Sequence, residues 1–142
     1  MRQHITIKQL REYTKDCCKG SQLEEKFKII KLDDYLSKYE SRWLESNRKV
    51  NYAMWEHYYH EWEKAVIKSI NIGKMIKVLG MNLKGINTPN SASEYSGVFL
   101  TANRERVEFK ADCLCDALWK AVKYVLEKEL EEEKKMEEDA NV

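Results

Sequence analysis

The sequence predicts an α+β fold, predominantly helical, with one small antiparallel β-hairpin packed on the C-terminal helix. Three observations predict it. Apolar residues recur at i, i+3, i+4 and i+7 along most of the chain, and the period switches to two between Val98 and Phe109. Helix breakers are scarce, with five Gly and one Pro in 142 residues. That length suits a single domain with a real core. We expect the domain to span residues 1–130 and an acidic, frayed tail to follow over 131–142.

The elements follow in order. Thr6 is placed to cap a first helix through Ile7, Leu10 and Tyr13 toward Cys17 and Cys18, with Gly20 in the position after its end. Ser21 and Glu24 have capping-box spacing and open a second segment. Residues 27–32 fit an extended run or a continued helix. From Asp33 or Asp34 a stripe of Leu32, Tyr35, Leu36, Tyr39 and Trp43 marks one helix face. Tyr52, Trp55, Tyr59, Trp62 and Val66 form a second stripe, and Ile72, Met75, Ile76, Leu79 and Leu83 a third. No Pro occurs between Met1 and Thr88 and no Gly between Ser21 and Ile72, so a helix over 33–83 could run unbroken for about 50 residues, roughly 75 Å. That exceeds the width of a domain this small, so a break is expected near Glu45-Ser46-Asn47-Arg48, where the stripe changes register.

Residues 85–97, rich in Gly, Asn and Ser, read as the long loop. Val98–Thr101 and Arg106–Phe109 then flank Ala102-Asn103-Arg104-Glu105 as a hairpin, with Val107 and Phe109 facing one way and Arg106, Glu108 and Lys110 the other. Asp112 caps a last helix that buries Leu114, Leu118, Ala121, Val125 and Leu126 and frays past Leu130.

Composition excludes several classes. Hydrophobic residues at 43% and charged residues at 35% argue against disorder. Apolar runs are far shorter than the ~20 residues a membrane helix needs. The start, Met1-Arg2-Gln3-His4-Ile5, lacks the apolar core of a signal peptide, so a cytoplasmic protein is expected. The net charge of +1 conceals an asymmetry, because residues 127–139 hold eight acids and three lysines, leaving 16 acids against 22 bases elsewhere. A basic body with an acidic tail suits an anionic partner, or self-masking.

Candidate chemistry is sparse. His57 and His60 share a helix face near Glu56, Glu61 and Glu63, a set from which a metal-dependent hydrolase would draw its ligands, although the His-Glu-x-x-His spacing is absent. Cys17-Cys18 and Cys113-x-Cys115 point apart on a helix, so free thiols in a reducing compartment are the reading, with no metal and no cofactor. Gly80-Met-Asn-Leu-Lys-Gly85 lacks the Lys-Ser/Thr ending of a phosphate loop. The aromatic stripe Tyr52, Trp55, Tyr59, Trp62 and Val66 is flanked by acids, which suits core packing or a homodimer interface better than base stacking. No acid occurs from Lys64 to Ser93, while Lys64, Lys68, Lys74, Lys77 and Lys84 supply cations there. Arg104 and Arg106 on the hairpin extend this candidate binding face.

The segment from Glu94 to Val125, with its hairpin followed by Lys110-Ala-Asp-Cys-Leu-Cys-Asp-Ala-Leu-Trp-Lys-Ala-Val122, resembles the ends of small orphan phage accessory proteins. In those, one or two strands lead into an Ala/Leu-rich final helix, as in the phage alpha-beta-alpha sandwich families. The resemblance covers under a third of the chain. It implies a phage or prophage protein, in a group that includes inhibitors of host defence such as anti-CRISPR proteins, and it carries over no functional residue.

The expected function is therefore a non-enzymatic interaction protein, a phage-type inhibitor. It would dock a host nuclease or other defence protein through the basic helix, loop and hairpin surface, as a homodimer. The alternatives are a nucleic-acid binder using the acid-free segment Lys64–Ser93 and a metal-dependent hydrolase using His57 and His60.

Overall fold

The computed structural model describes residues 2–45, 49–88, 95–102 and 104–140. Among the described residues, seven α-helices and three strands follow one another as α1 (Ile7–Tyr13), α2 (Cys17–Phe27), α3 (Leu32–Ser37), α4 (Glu40–Trp43), α5 (Tyr52–Ser69), α6 (Ile72–Leu79), β1 (Leu83–Asn87), β2 (Ser96–Ala102), β3 (Glu105–Ala111) and α7 (Leu114–Ala140). The fold is α+β and mostly helical, with a small antiparallel sheet on the last helix, as the sequence predicts. No helix among the described residues is long and apolar enough to cross a membrane.

Local chemistry explains most helix starts. Thr6 caps α1, and its side chain and that of Gln9 satisfy each other's backbone N–H groups. α1 ends at Tyr13, before Cys17 and Cys18. Asp16 then accepts from the N–H groups of Cys18 and Lys19 and starts α2, so Gly20 and Ser21 lie inside a helix instead of bounding one. α3 begins at Leu32 and keeps Asp33 and Asp34 in its first turn, where carboxylates complement the helix dipole.

The expected break before α5 is real. Leu44 and Val50 form an isolated bridge, and the Asn51 N–H donates to the Trp43 carbonyl at 2.7 Å. Residues 46–48 lie outside the described residues. Two further breaks divide the helical stretch, at Lys38–Tyr39 and at Ile70–Asn71. At the second, Asn71 accepts from the Lys74 N–H and caps α6. The chain ahead of α1 secures this corner, since Ile5 N–H donates to the Ile70 carbonyl and Ile72 N–H to that of Gln3.

The hairpin of β2 and β3 is longer than expected and gains a third strand. β1 pairs antiparallel with β2 in the order β1-β2-β3, with an irregularity between Leu83 and Gly85. Residues 85–87 and 96–97 are therefore strand, not loop, while 89–94 lie outside the described residues. Val98 and Leu100 face inward against Phe109 and Val107, their cross-strand partners, and both are fully buried. Phe99 and Thr101 face outward, beside Glu108 and Arg106.

α7 is the centre of the core. Leu118, Ala121, Val122 and Leu126 are fully buried against Ile5, Leu23, Phe27, Ile70, Met75 and Leu79. Its apolar face ends near Leu130, as expected, but the helix continues to Ala140. Glu, Lys, Met and Ala are all good helix formers, so the acidic stretch extends a helix already nucleated in the core.

α3 and α4 cover the aromatic side of α5. Tyr39 stacks on Tyr58 with ring centroids 4.4 Å apart, and the Trp43 indole donates to the Leu36 carbonyl. Trp62 donates to the Ile30 carbonyl at 2.8 Å. The aromatic stripe is thus divided. Tyr52 is exposed, Trp55 and Tyr59 stack half-buried, and Val66 lies in the core at 3% exposure. Val66 packs in the core with Ile67 and Ile70, so it offers no exposed surface to a second copy.

Candidate functional site

α2 and α6 place four lysines around one recess. α2 ends at Phe27, and Lys28 takes a left-handed conformation, φ 53° and ψ 46°, that turns the chain while its N–H donates to the Glu24 and Glu25 carbonyls. Ile29 N–H closes on the Glu24 carbonyl at 2.9 Å. α6 buries Met75 and Leu79, which leaves Lys74 and Lys77, one turn apart, on its outer face. Lys26, Lys28, Lys74 and Lys77 rim a pocket of about 330 Å³ whose apolar wall is Phe27 and Val78.

The charges there are poorly compensated. Lys26 pairs with Glu129 of α7 at 3.1 Å. Among the described residues, no carboxylate lies within 4.0 Å of the ammonium groups of Lys28, Lys74 or Lys77. Three adjacent unpaired cations over an apolar wall attract anionic groups and reward partial dehydration of the lysine stems.

A larger cleft of about 740 Å³ opens between the α1–α2 corner and α7, over Tyr13 and Trp119. Its walls neutralise themselves to a large degree. Lys19 pairs with Glu127 at 3.1 Å, Lys120 donates to the Lys110 carbonyl, and Asp116 is held by Arg2 and Gln9. Burial pushes the Asp116 carboxyl up, but hydrogen bonds from Gln9, Cys113 and Arg2 prevail and hold it below its ordinary value. Burial, with Glu127 and Asp16 nearby, pushes the Tyr13 phenol up to about 12, so it stays protonated. Lys19 and Lys123 lie over the two rings, at 5.6 and 5.9 Å from the centroids, and the lining sets Lys19, Lys110, Lys120 and Lys123 against Glu12, Asp112, Asp116 and Glu127, so this cleft lacks the net positive charge of the α2–α6 pocket.

Of the seven cations the sequence singles out, the pocket unites Lys74 and Lys77 alone. Lys64 pairs with Glu61 at 3.3 Å, and Lys68 stands exposed on the last turn of α5. Lys84 is exposed at the irregularity in β1, and Arg106 lies on the outer side of the sheet, over the Phe99 ring at 4.7 Å. Arg104 forms the hairpin turn with a φ of 67°, so its backbone has a structural task of its own. Lys26 and Lys28 escape a search for acid-free sequence because Glu24 and Glu25 precede them. Only the packing of α2 beside α6 brings them to the site.

The histidines do not assemble a centre. His57 meets the Tyr58 ring edge-on, and His60 Nδ1 lies 3.2 Å from Glu63, whose carboxylate Arg11 already engages. Among the described residues, no group of three His, Cys, Asp or Glu side chains is arranged to hold a metal ion. The cysteines are free, with Cys17 and Cys18 exposed and Cys115 buried, and burial pushes the Cys115 thiol up. Comparison with family models, with curated proteins and with solved structures finds no match to this chain.

Proposed function

We propose that the protein is a non-enzymatic binding protein that docks an acidic surface of a protein partner through the lysine pocket of α2 and α6. One observation carries this reading: Lys28, Lys74 and Lys77 stand together without carboxylate partners among the described residues, around a pocket whose wall includes Phe27 and Val78. Mixed cationic and apolar character suits a protein surface, where a buried patch needs both contact area and charge complementarity. A duplex phosphate backbone would instead be met by a longer basic track. In the form implied by the resemblance to phage accessory proteins, the partner is a host defence enzyme that handles nucleic acid, and the protein inhibits it.

The test is capture from host lysate with the wild-type chain, with Lys28→Glu/Lys74→Glu/Lys77→Glu, and with Lys64→Glu as a control. The reading requires a protein retained by wild type and by the control and lost with the triple variant. Recovery of nucleic acid in its place, with a band shift that weakens steeply with salt, would overturn it in favour of a nucleic-acid binder.

A further inference from the structure

We infer that the acidic end of α7 from a second copy of this chain occupies the lysine pocket, making a reciprocal dimer. Three features converge on it. The first is charge. Residues 131–140 of α7 are exposed throughout and carry six carboxylates against two lysines. They match the ammonium groups of Lys28, Lys74 and Lys77, which have no carboxylate partner among the described residues. The second is an apolar contact, because Met136, 73% exposed among these charges, is an apolar group suited to the half-buried Val78 of the pocket wall, behind which Phe27 lies in the core.

The third is position. α2 runs beside α7, with Lys19 on Glu127 and both Gln22 and Lys26 on Glu129. The pocket at the end of α2 therefore sits at the root of the projecting segment. Ten helical residues extend about 15 Å at 1.5 Å per residue. No Gly or Pro interrupts residues 114–140, so the helix has no residue at which to fold back onto its own pocket. Two copies set antiparallel place each projecting end against the root of the other, where the other's pocket lies. One two-fold axis then satisfies both pockets with the same contact, as a closed dimer requires. This interface is distinct from the aromatic face of α5, and it masks the surface proposed for the acidic partner.

Sedimentation velocity on the full chain tests the inference. Raising the salt from about 10 mM to about 1 M shrinks the Debye length from roughly 30 Å to roughly 3 Å, and should convert dimer to monomer. Two full-length variants sharpen the result: Lys28→Glu/Lys74→Glu/Lys77→Glu, and Glu132→Lys/Glu133→Lys/Glu137→Lys/Glu138→Lys. All of these side chains are exposed, and circular dichroism checks that each variant is folded. Each should be monomeric alone at low salt, and an equal mixture should restore the dimer mass. A monomeric wild type at low salt overturns the inference. So does a dimer that survives in either variant alone, which would move the contact elsewhere, for instance to Trp55 and Tyr59. Self-association is read without any other protein, so failure to find a host partner leaves this result standing.

Discussion

Arg11 of α1 grips the carboxylate of Glu63 on α5 through two hydrogen bonds of 2.7 and 2.8 Å. Glu63 is 1% exposed, so its charge is tolerable only while that fork and His60 attend it. The pair joins the first helix to the longest one outside the core helix. In sequence Glu63 looks like one more acid on a solvated flank.

The Arg11 hydrogen bonds hold the Glu63 carboxyl below its ordinary value, against the opposing effect of burial. A carboxyl lowered in the folded state stabilises the protein above its unfolded value and loses that contribution as pH falls through the folded one. Glu63→Gln should cost about 2 kcal/mol at neutral pH, typical of a hydrogen bond to a charged group. Urea denaturation checks this. The gap between wild type and variant should close as the pH drops below the usual carboxylate range.

Lys74→Glu should weaken capture of an acidic partner chiefly by slowing association, with a flatter salt dependence than wild type. Lys64→Glu should change little, because Lys64 already faces Glu61 at 3.3 Å. Surface plasmon resonance at two salt concentrations separates them. Equal losses from both variants would mean that general charge, not the pocket, governs binding.

Arg104→Gly should stabilise the fold by about 0.5–1 kcal/mol, since Gly relieves the left-handed backbone at the hairpin turn. Gly80→Ala should do the opposite by about 1 kcal/mol or more. Gly80 sits at φ 53° and ψ −128°, and an added Cβ there meets no atom within 4 Å, so the cost would be one of backbone alone. Thermal melts of the two variants give shifts of opposite sign.

Leu118→Ala should cost about 2–5 kcal/mol, the range for an aliphatic side chain removed from a packed core. Leu118 is fully buried near the start of α7, and its loss leaves a void in the core beside Ala121 and Val122. Chemical denaturation should show a lower midpoint with an unchanged slope.

Much of this architecture is legible in the sequence where the cause is local. Thr6 and Gln9 cap each other within three residues, and Val98 to Phe109 alternate strictly enough to announce a hairpin. Gly20 misleads because Asp16, four residues earlier, captures the helix start and carries the glycine inside. β1 gives almost no signal, since Gly85 and a register irregularity erase its alternation, and β2 makes it a strand by pairing with it. The site follows the same rule. Lys74 and Lys77 share one helix face and are visible as such, whereas Lys26 and Lys28 join them only through the tertiary contact of α2 and α6.

The continuity of α7 has a dynamic consequence. A free peptide of ten residues barely holds a helix in water, so 131–140 borrow their order from the buried turns before them. Amide hydrogen exchange along this one rod should fall from near-global protection around Leu118 and Val122 to rapid exchange at Glu137 and Glu138. Whatever grips that end quiets the fraying, and the change can be read amide by amide without knowing what was bound.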